Sequence, residues 1–558
     1  MKSLFVALAT VLAIDGATGS PSRVEFINIG LCNEMFTEDI AFNSPNGNHL
    51  QCARQCSMQD SCLTFTIAEN MCRGHSVLVT SQTPSMPSPG ANSFVKRSTY
   101  SRNYMEALNR SIVFHYAQRS GNLTGTFRPL PWVVSSAMDD NPVGGWYRGG
   151  DYIKYTIAMA WSVVTQLWSM VRFRAGYQAA GQFDVITDSA RWALDYLLRC
   201  WDNESQELVV MVGDWEADHA VWTRPQDMVT DRPVYKANTT HNSSDVAGLT
   251  AAALALGYIV FNESDAEFAN SMLTAAEQIY TFGTTYKGIQ ETFQHSEFTK
   301  REKKKELPNT GVSTYNDELC VAAVWLKRAT ENNSYFQTAK NTFYSSDKAW
   351  VYSTDANEVA CQLLHWEETG TSKYKRNVEK FFSDWLRGSD PDHTACGLVY
   401  RSAVTPIRYA VNAAFLALVA SRDGIESVDG KNLNQFAVEQ VNYMLGDNAQ
   451  RSGSNCYSFL IGYGNNFPRQ PHHRAASCPV DISQACITND TLPNPSELTG
   501  GLVGGPSDVT DQYEDRRSYW RHRVSCDVNA AMQAALAGIV FLKEEDNIPM
   551  TNNKCKCP

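Results

Sequence analysis

From Tyr104 onward, eight segments carry apolar residues at i, i+3 and i+4: EALNRSIVFHYAQRS, TIAMAWSVVTQLWSMVRF, VITDSARWALDYLLRCW, DVAGLTAAALALGYIVF, DELCVAAVWLKRAT, NEVACQLLHWEE, YAVNAAFLALVASR and NAAMQAALAGIVFL. That spacing puts an apolar stripe along an α-helix. Several of the segments are apolar on most sides, as helices of an inner ring enclosed by other helices would be. Loops rich in Gly, Pro, His and Trp separate them. The pattern predicts a large all-α domain whose loops carry any functional site.

Charge narrows the partners. A net charge of −11 gives no electrostatic footprint for nucleic acid or an anionic membrane surface. The one basic run, KREKKKE from Lys300 to Glu306, is broken by glutamates and reads as a solvated loop. At the N-terminus, Lys2 precedes an apolar core from Leu4 to Ile14, with Ala17 and Gly19 at the −3 and −1 positions of a cleavage site. Residues 1–19 are therefore expected to be a secretory signal. No later stretch reaches about 18 uninterrupted apolar residues, so no membrane span is expected. Acceptor sequons at Asn109, Asn122, Asn203, Asn238, Asn242, Asn262, Asn332 and Asn489 predict a secreted, extracellular glycoprotein. Fifteen cysteines in such a chain predict disulfides with at least one thiol left over.

Five cysteines cluster between Cys32 and Cys72. Cys52 and Cys56 share one face of a helix over HLQCARQCSM, and CLTF alternates as a strand does. No Cys/His set there has finger-like spacing, which disfavours zinc. The pattern resembles a PAN/apple module over residues 20–79, a disulfide-rich α+β unit that implies binding of carbohydrate or of an extracellular protein. The odd Cys32 has the C-terminal Cys555 and Cys557 as candidate partners, a pairing that would clip the chain ends together. A Ser/Pro-rich linker is expected over residues 80–101, the helical domain over 102–545 and a Cys-containing tail over 546–558.

Six loop motifs appear in order: VGGWYRGGDYIKY, VGDWEADHAVWTRPQDM, STYNDELCVAAVWL, LVYRSAVTPIRYAVNAAFLALV, GYGNNFPRQPHHRAASCP and GGLVGGPSDVTDQYEDRRSYWRHRVSCDVNAA. Together they resemble family-nine glycoside hydrolases, the inverting endo-β-1,4-glucanases, over roughly Tyr104 to Lys543. The resemblance implies an (α/α)6 barrel with a cleft built from loops at one end. Inverting hydrolysis needs two carboxyl groups about 6.5–9.5 Å apart, one activating water and one protonating the departing oxygen. The family's base loop reads G-W/Y-Y-D-A-G-D. Here Asp151 keeps the second aspartate, and Arg148 stands in place of the first. The family's acid is the glutamate of D-R-x-D-Y-x-x-N-E-V-A. Here Asp515 to Ser525 reads DRRSYWRHRVS, which puts Arg523 in that position.

An arginine, with a pKa above about 12, cannot deliver the proton. It also opposes the positive charge that develops on the ring in the transition state. His522 points away from Arg523 on a helix, and Asp527, one turn further on, is expected to be structural. Val404 and Val312 stand where the family has aromatic platforms. His219, Trp222, Arg408, Tyr409, His472 and Arg474 match positions that contact sugar. Ser313, Thr314, Asp317 and Glu318 resemble the family's calcium loop, a donor set suited to a hard cation in a structural role, with capping of the following helix as the alternative. No organic cofactor is expected.

These expectations favour a secreted pseudoenzyme that acts as a binder of β-glucan or another glycan, or as an extracellular structural or interaction protein. The alternatives are an active endo-β-1,4-glucanase with an unusual acid, and an interaction protein whose PAN-like module acts while the barrel is a scaffold.

Overall fold

The structure, a computed structural model, describes residues 102–289, 314–387, 392–450, 456–519 and 523–557 with their side chains, and the backbone of six strands before residue 101. Two compact units result, Met1–Arg102 and Asn103–Pro558.

In the first unit, strands β1 (Leu8–Ile14), β2 (Pro21–Met35), β3 (Asp39–Pro45), β4 (Thr64–Ala68), β5 (Met71–His75) and β6 (Met86–Arg97) form an antiparallel sheet in the order β1-β2-β6-β4-β5-β3. Strand β4 starts inside the alternating CLTF stretch. Strand β1 lies within the segment read as a secretory signal, and β6 within the one read as a linker. The helix expected around Cys52 and Cys56 falls outside the described residues.

The second unit is helical. In chain order its long helices are α1 (Tyr104–Ala117), α2 (Thr156–Arg172), α3 (Phe183–Arg199), α4 (Ser244–Phe261), α5 (Ala266–Thr285), α6 (Asn316–Thr330), α7 (Glu358–Thr369), α8 (Ser372–Arg387), α9 (Pro406–Arg422), α10 (Leu433–Met444) and α11 (Cys526–Glu544). Helices α2, α4, α6, α7, α9 and α11 form an inner ring that closes where α11 packs on α2. The Trp366 indole of α7 donates to the carbonyl of Asp423, just past α9, at 2.9 Å. The outer layer sets α1 on α11, α3 and α5 on α4, α8 on α7 and α10 on α9, while the short helix Asn333–Thr338 packs on α6. Six inner and six outer positions are the alternation of an (α/α)6 barrel.

Sequence explains which helices go inside. Helix α4 is buried without a break from Ser244 to Gly257, and its small residues let neighbours close in. A Cβ on Gly248 would lie 2.8 Å from the Glu318 carbonyl carbon of α6. Helices α4 and α11 are long and apolar enough to cross a membrane, and both are enclosed inside the barrel. The helices that periodicity did not single out, α5, α8 and α10, are all outer ones. Helix α8 buries one stripe (Tyr374, Val378, Phe381, Phe382 and Trp385) and turns its charged face to solvent.

Cys320–Cys361 links α6 to α7, and Cys478–Cys486 closes a short loop. The C-terminal cysteines correct an expectation: Cys555 bonds Cys396 and Cys557 bonds Cys456, so the tail is sewn to its own barrel and neither is available to Cys32. Among the described residues Cys200 and Cys526 are free thiols, both buried.

Candidate active site

Three loops meet at the start of α11. The GWYRGGD loop is pressed between residues 472–474 and 524–526, and its glycines are required by contact. A Cβ on Gly149 would sit 2.3 Å from the Val524 oxygen, and one on Gly150 would sit 2.2 Å from the His472 oxygen. The Cys526 amide donates to the Arg148 carbonyl at 2.8 Å, and the Arg474 amide to that of Gly150 at 3.2 Å. This places Asp151, half-buried, among residues distant in sequence. Gly149 pairs with Ser525 in an antiparallel bridge, which sets the Asp151 loop beside the segment that carries half-buried Arg523.

Asp527, in the first turn of α11, is 1% exposed and faces two guanidiniums. Arg148 Nε lies 3.4 Å from one carboxylate oxygen and Arg408 Nη2 3.0 Å from the other. Burial opposes its ionisation, but Arg408 and then Arg148 outweigh that and hold the carboxyl well below the usual range. Arg148 is thus bound into a buried charge cluster.

Asp218 and Arg474 form a second cluster. Arg474, 3% exposed, pairs with the Asp218 carboxylate and donates to the carbonyls of Asp218 at 2.7 Å, Val221 at 3.0 Å and Gly150 at 3.3 Å. Asp218 Oδ1 accepts from the Tyr152 amide at 3.3 Å. Burial and then Asp151 raise the Asp218 carboxyl, with Arg474 acting the other way.

The residues expected to contact sugar separate accordingly. His219 is exposed and stacks on Trp215 with ring centroids 4.3 Å apart. Half-buried Trp222 donates its indole N–H to Ser477 at 2.8 Å and stands edge-on to His472 at 5.4 Å. His472 Nδ1 donates to the Arg517 carbonyl at 2.6 Å, and burial holds its imidazole below the usual range. By contrast, Arg474 is enclosed, Tyr409 is 6% exposed, and Arg408 is directed at Asp527 and Thr354. Arg474 and Tyr409 are thus buried, while half-buried Arg408 has buried partners in Asp527 and Thr354. Val404 is half-buried; His522, Val312 and Ser313 fall outside the described residues. Asp218 went unnoticed in the sequence, although it adjoins His219. Arg517 did too: it donates to Asn494 at 2.8 Å and to the Leu492 carbonyl at 2.8 Å, tying the loop before α11 to the 489–494 segment.

The profile of glycosyl hydrolase family 9 matches residues 104–536, a barrel-long match. The chain belongs to glycosyl hydrolase family 9. It is 34% identical over 478 residues to Endoglucanase A of Bacillus pumilus, covering 82% of this chain and 69% of that protein. The solved endoglucanase of the termite Nasutitermes takasagoensis is similar at a TM-score of 0.72 and 35% identity, over 80% of this chain and 100% of that one. The cellulase Cel9M of C. cellulolyticum in complex with cellobiose is similar at a TM-score of 0.69 and 28% identity, over 79% and 99%.

This family 9 barrel holds a further carboxylate group at the start of α6. Asp317 accepts from the Asn357 amide at 2.6 Å, and Glu318 accepts from the Asn357 side chain at 3.0 Å. Glu318 Oε2 is buried without a hydrogen-bond partner. Burial and then Asp317 push Glu318 up, and the same causes push Glu358 up to about 7. A buried carboxylate oxygen with no donor, among mutually repelling acids, fits a hard cation. The capping alternative is not met at the N-cap itself, Tyr315, which makes no side-chain capping bond, although Thr314 Oγ1 accepts from the Asn316 amide at 3.0 Å.

Proposed function

We propose that this family 9 chain is a secreted glycan-binding protein in which hydrolysis of neutral β-glucan is impaired. The observation that carries the reading is the pairing of Arg148 with Asp527 at 3.4 Å, with Arg523 on the segment that pairs with the same loop through Ser525 and Gly149. Two guanidiniums occupy positions where the family resemblance places carboxyls. General acid catalysis contributes about 10²–10⁴-fold, and a sugar alkoxide leaves poorly without it. The related Cel9M has been solved with cellobiose bound, which supports a β-linked glucan or similar polysaccharide as the ligand class. A calcium ion at Asp317 and Glu318 would stiffen the barrel. Residues 20–79 are read as a PAN/apple-like module offering a second carbohydrate or protein contact in the extracellular space.

A second reading, an active inverting endo-β-1,4-glucanase, draws on Asp218, a carboxyl with raised pKa near Asp151. Its oxygens are engaged, however: Oδ1 by the Tyr152 amide, Oδ2 by Arg474 and by His219 at 3.3 Å. Purified full-length protein on a soluble, uncharged mixed-linkage β-glucan, assayed by reducing-sugar release, decides between the two. No release above buffer is expected. Release that disappears in Asp151→Asn would overturn the reading.

A further inference from the structure

We infer that the outer face of α8 is a second binding surface, which takes a sulfated linear polysaccharide through Lys340, Lys373, Arg376 and Lys380. The inference rests on the reading of the chain as secreted, where such polymers occur, and is independent of the cleft.

Helix α8 opens against the usual preferences. Its first turn holds no acidic residue, and Lys373 and Lys375 lie there, where the helix dipole disfavours cations. Lys373, Arg376 and Lys380 follow at spacings of three and four, so like charges share one face over about 10 Å of helix. Like charges at those spacings destabilise a helix. All three are exposed, as is Lys340 on the adjoining turn Ala339–Phe343. The Asn377 side chain, donating to the Tyr344 hydroxyl at 2.6 Å, holds that turn against α8. Lys373 Nζ lies 4.6 Å from the centre of the Tyr374 ring and 5.9 Å from that of Tyr344, contacts that place the ammonium without neutralising it.

These four cations have no hydrogen-bond or ion-pair partner among the described residues. The carboxylates around them are engaged by other cations. Glu379 faces Lys375, Asp384 pairs with Lys348, and Asp429 takes Arg387 and Ser383. On α7, Glu367 and Glu368 are held by Arg328 and Lys327. Exposed Asp347 remains, one carboxylate beside four cations. The row is therefore a net positive surface in a chain of net charge −11.

The surroundings select the partner's chemistry. Among the described residues, no large apolar side chain is exposed on α8 or on residues 339–348, because the apolar stripe of α8 faces the core. A protein interface is built around an apolar or aromatic centre, and a membrane-surface helix inserts an apolar face. A sulfated glycan needs neither. It presents anions in line, which ammonium and guanidinium groups take in charge-assisted hydrogen bonds. The row also lies apart from the cleft. The Trp161 indole of α2 donates to Asn357 at 3.1 Å, so α2 and α7 start at the same end of the barrel, beside the Asp151 loop. Helix α8 follows the far end of α7, which lets both surfaces be occupied together.

The test is calorimetric titration of the full-length protein with a heparin hexasaccharide, its fully desulfated counterpart, oligoglutamate of matched charge, and phosphatidylserine vesicles. The sulfated hexasaccharide is expected to bind most tightly, with an affinity that falls as salt rises. The triple variant Lys373→Gln, Arg376→Gln, Lys380→Gln keeps good helix formers on exposed positions. It should weaken that binding at least about tenfold, with a thermal midpoint equal to or above wild type and an unchanged response to cellohexaose. The single Arg376→Gln should show part of the loss. Changing Lys303, Lys304 and Lys305 of the other basic run to Gln should leave binding intact. No heat from the hexasaccharide, equal binding of its desulfated form, or an affinity untouched by the α8 variants overturns this inference and leaves the cleft reading in place. Binding lost with the 303–305 variant overturns it too, as does tighter binding of oligoglutamate or vesicles. Binding of the sulfated hexasaccharide with no heat from cellohexaose removes the cleft reading alone.

Discussion

Arg474 and Asp218 form a buried ion pair that grips the backbone on both sides of Asp151. Arg474 takes the Gly150 carbonyl and Asp218 takes the Tyr152 amide. Asp151 therefore inherits its position from two residues that turn away from the cleft.

Breaking this grip should be felt in stability and in the loop together. Removing one partner of a buried pair costs about 3–5 kcal/mol. Arg474→Met is expected to lower the thermal midpoint and to speed hydrogen exchange across residues 148–153. Arg474→Lys should recover only part of both, because an ammonium cannot span four acceptors. Wild-type exchange in Arg474→Met would show that the loop is held by something else.

Restoring the expected carboxyls should not be symmetrical. Arg148→Asp places a second carboxylate beside Asp527 and leaves Arg408 as its remaining counter-charge, at a cost of about 2–4 kcal/mol. Arg523→Glu changes a half-buried residue and should cost less. Urea unfolding of the two single variants at neutral pH measures the difference. Equal midpoints would argue that the Arg148–Asp527 contact contributes little.

Two enclosed histidines set an acid limit. Burial lowers both His115 and His473 to about 3. Their folded values lie below the unfolded value near about 6.5, so the unfolded chain takes up their protons first. The stability they support is complete above about pH 6.5 and is lost as pH falls toward 3, by up to about 1.4 kcal/mol per pH unit for each ring. Denaturant midpoints at pH 7.0, about 5.5 and about 4.5 should follow that slope, and His115→Phe should flatten it. An unchanged slope in the variant would place the acid sensitivity elsewhere.

Calcium should stabilise the barrel through Asp317 and Glu318. At a hundred times its dissociation constant a ligand adds about 2.7 kcal/mol. Millimolar calcium is expected to raise the midpoint at pH 7.5, and to do so less near pH 5, where protons occupy carboxyls such as Glu358, raised to about 7. Asp317→Asn should abolish the shift. A calcium response that survives in this variant would move the ion to other ligands.

Much of the barrel was legible before any coordinates. The eight segments with helical spacing are all helices, and those apolar on most sides, such as α4 and α11, are inner ones. The outer α5, α8 and α10 drew less notice because each buries a single stripe and carries polar residues elsewhere. At the site, the motif frame brought Asp151, Arg148, His472 and Arg523 into one region. It did not reveal that Arg474 and Tyr409 are buried there, or that Arg408 turns to Asp527 and Thr354. A motif marks a position along the chain, and burial depends on what packs over it.

Sequence alone determined the helical layering, the family and the presence of arginines where carboxyls were expected, because periodicity and side-chain chemistry are local properties. Only the tertiary structure decided how those arginines are held. Arg474 and Asp218 are 256 residues apart, and Arg148 and Asp527 are 379 apart. The C-terminal pairings of Cys555 with Cys396 and Cys557 with Cys456 follow the same logic. Such partners meet because the barrel closes on itself, and no local pattern encodes which distant loop arrives.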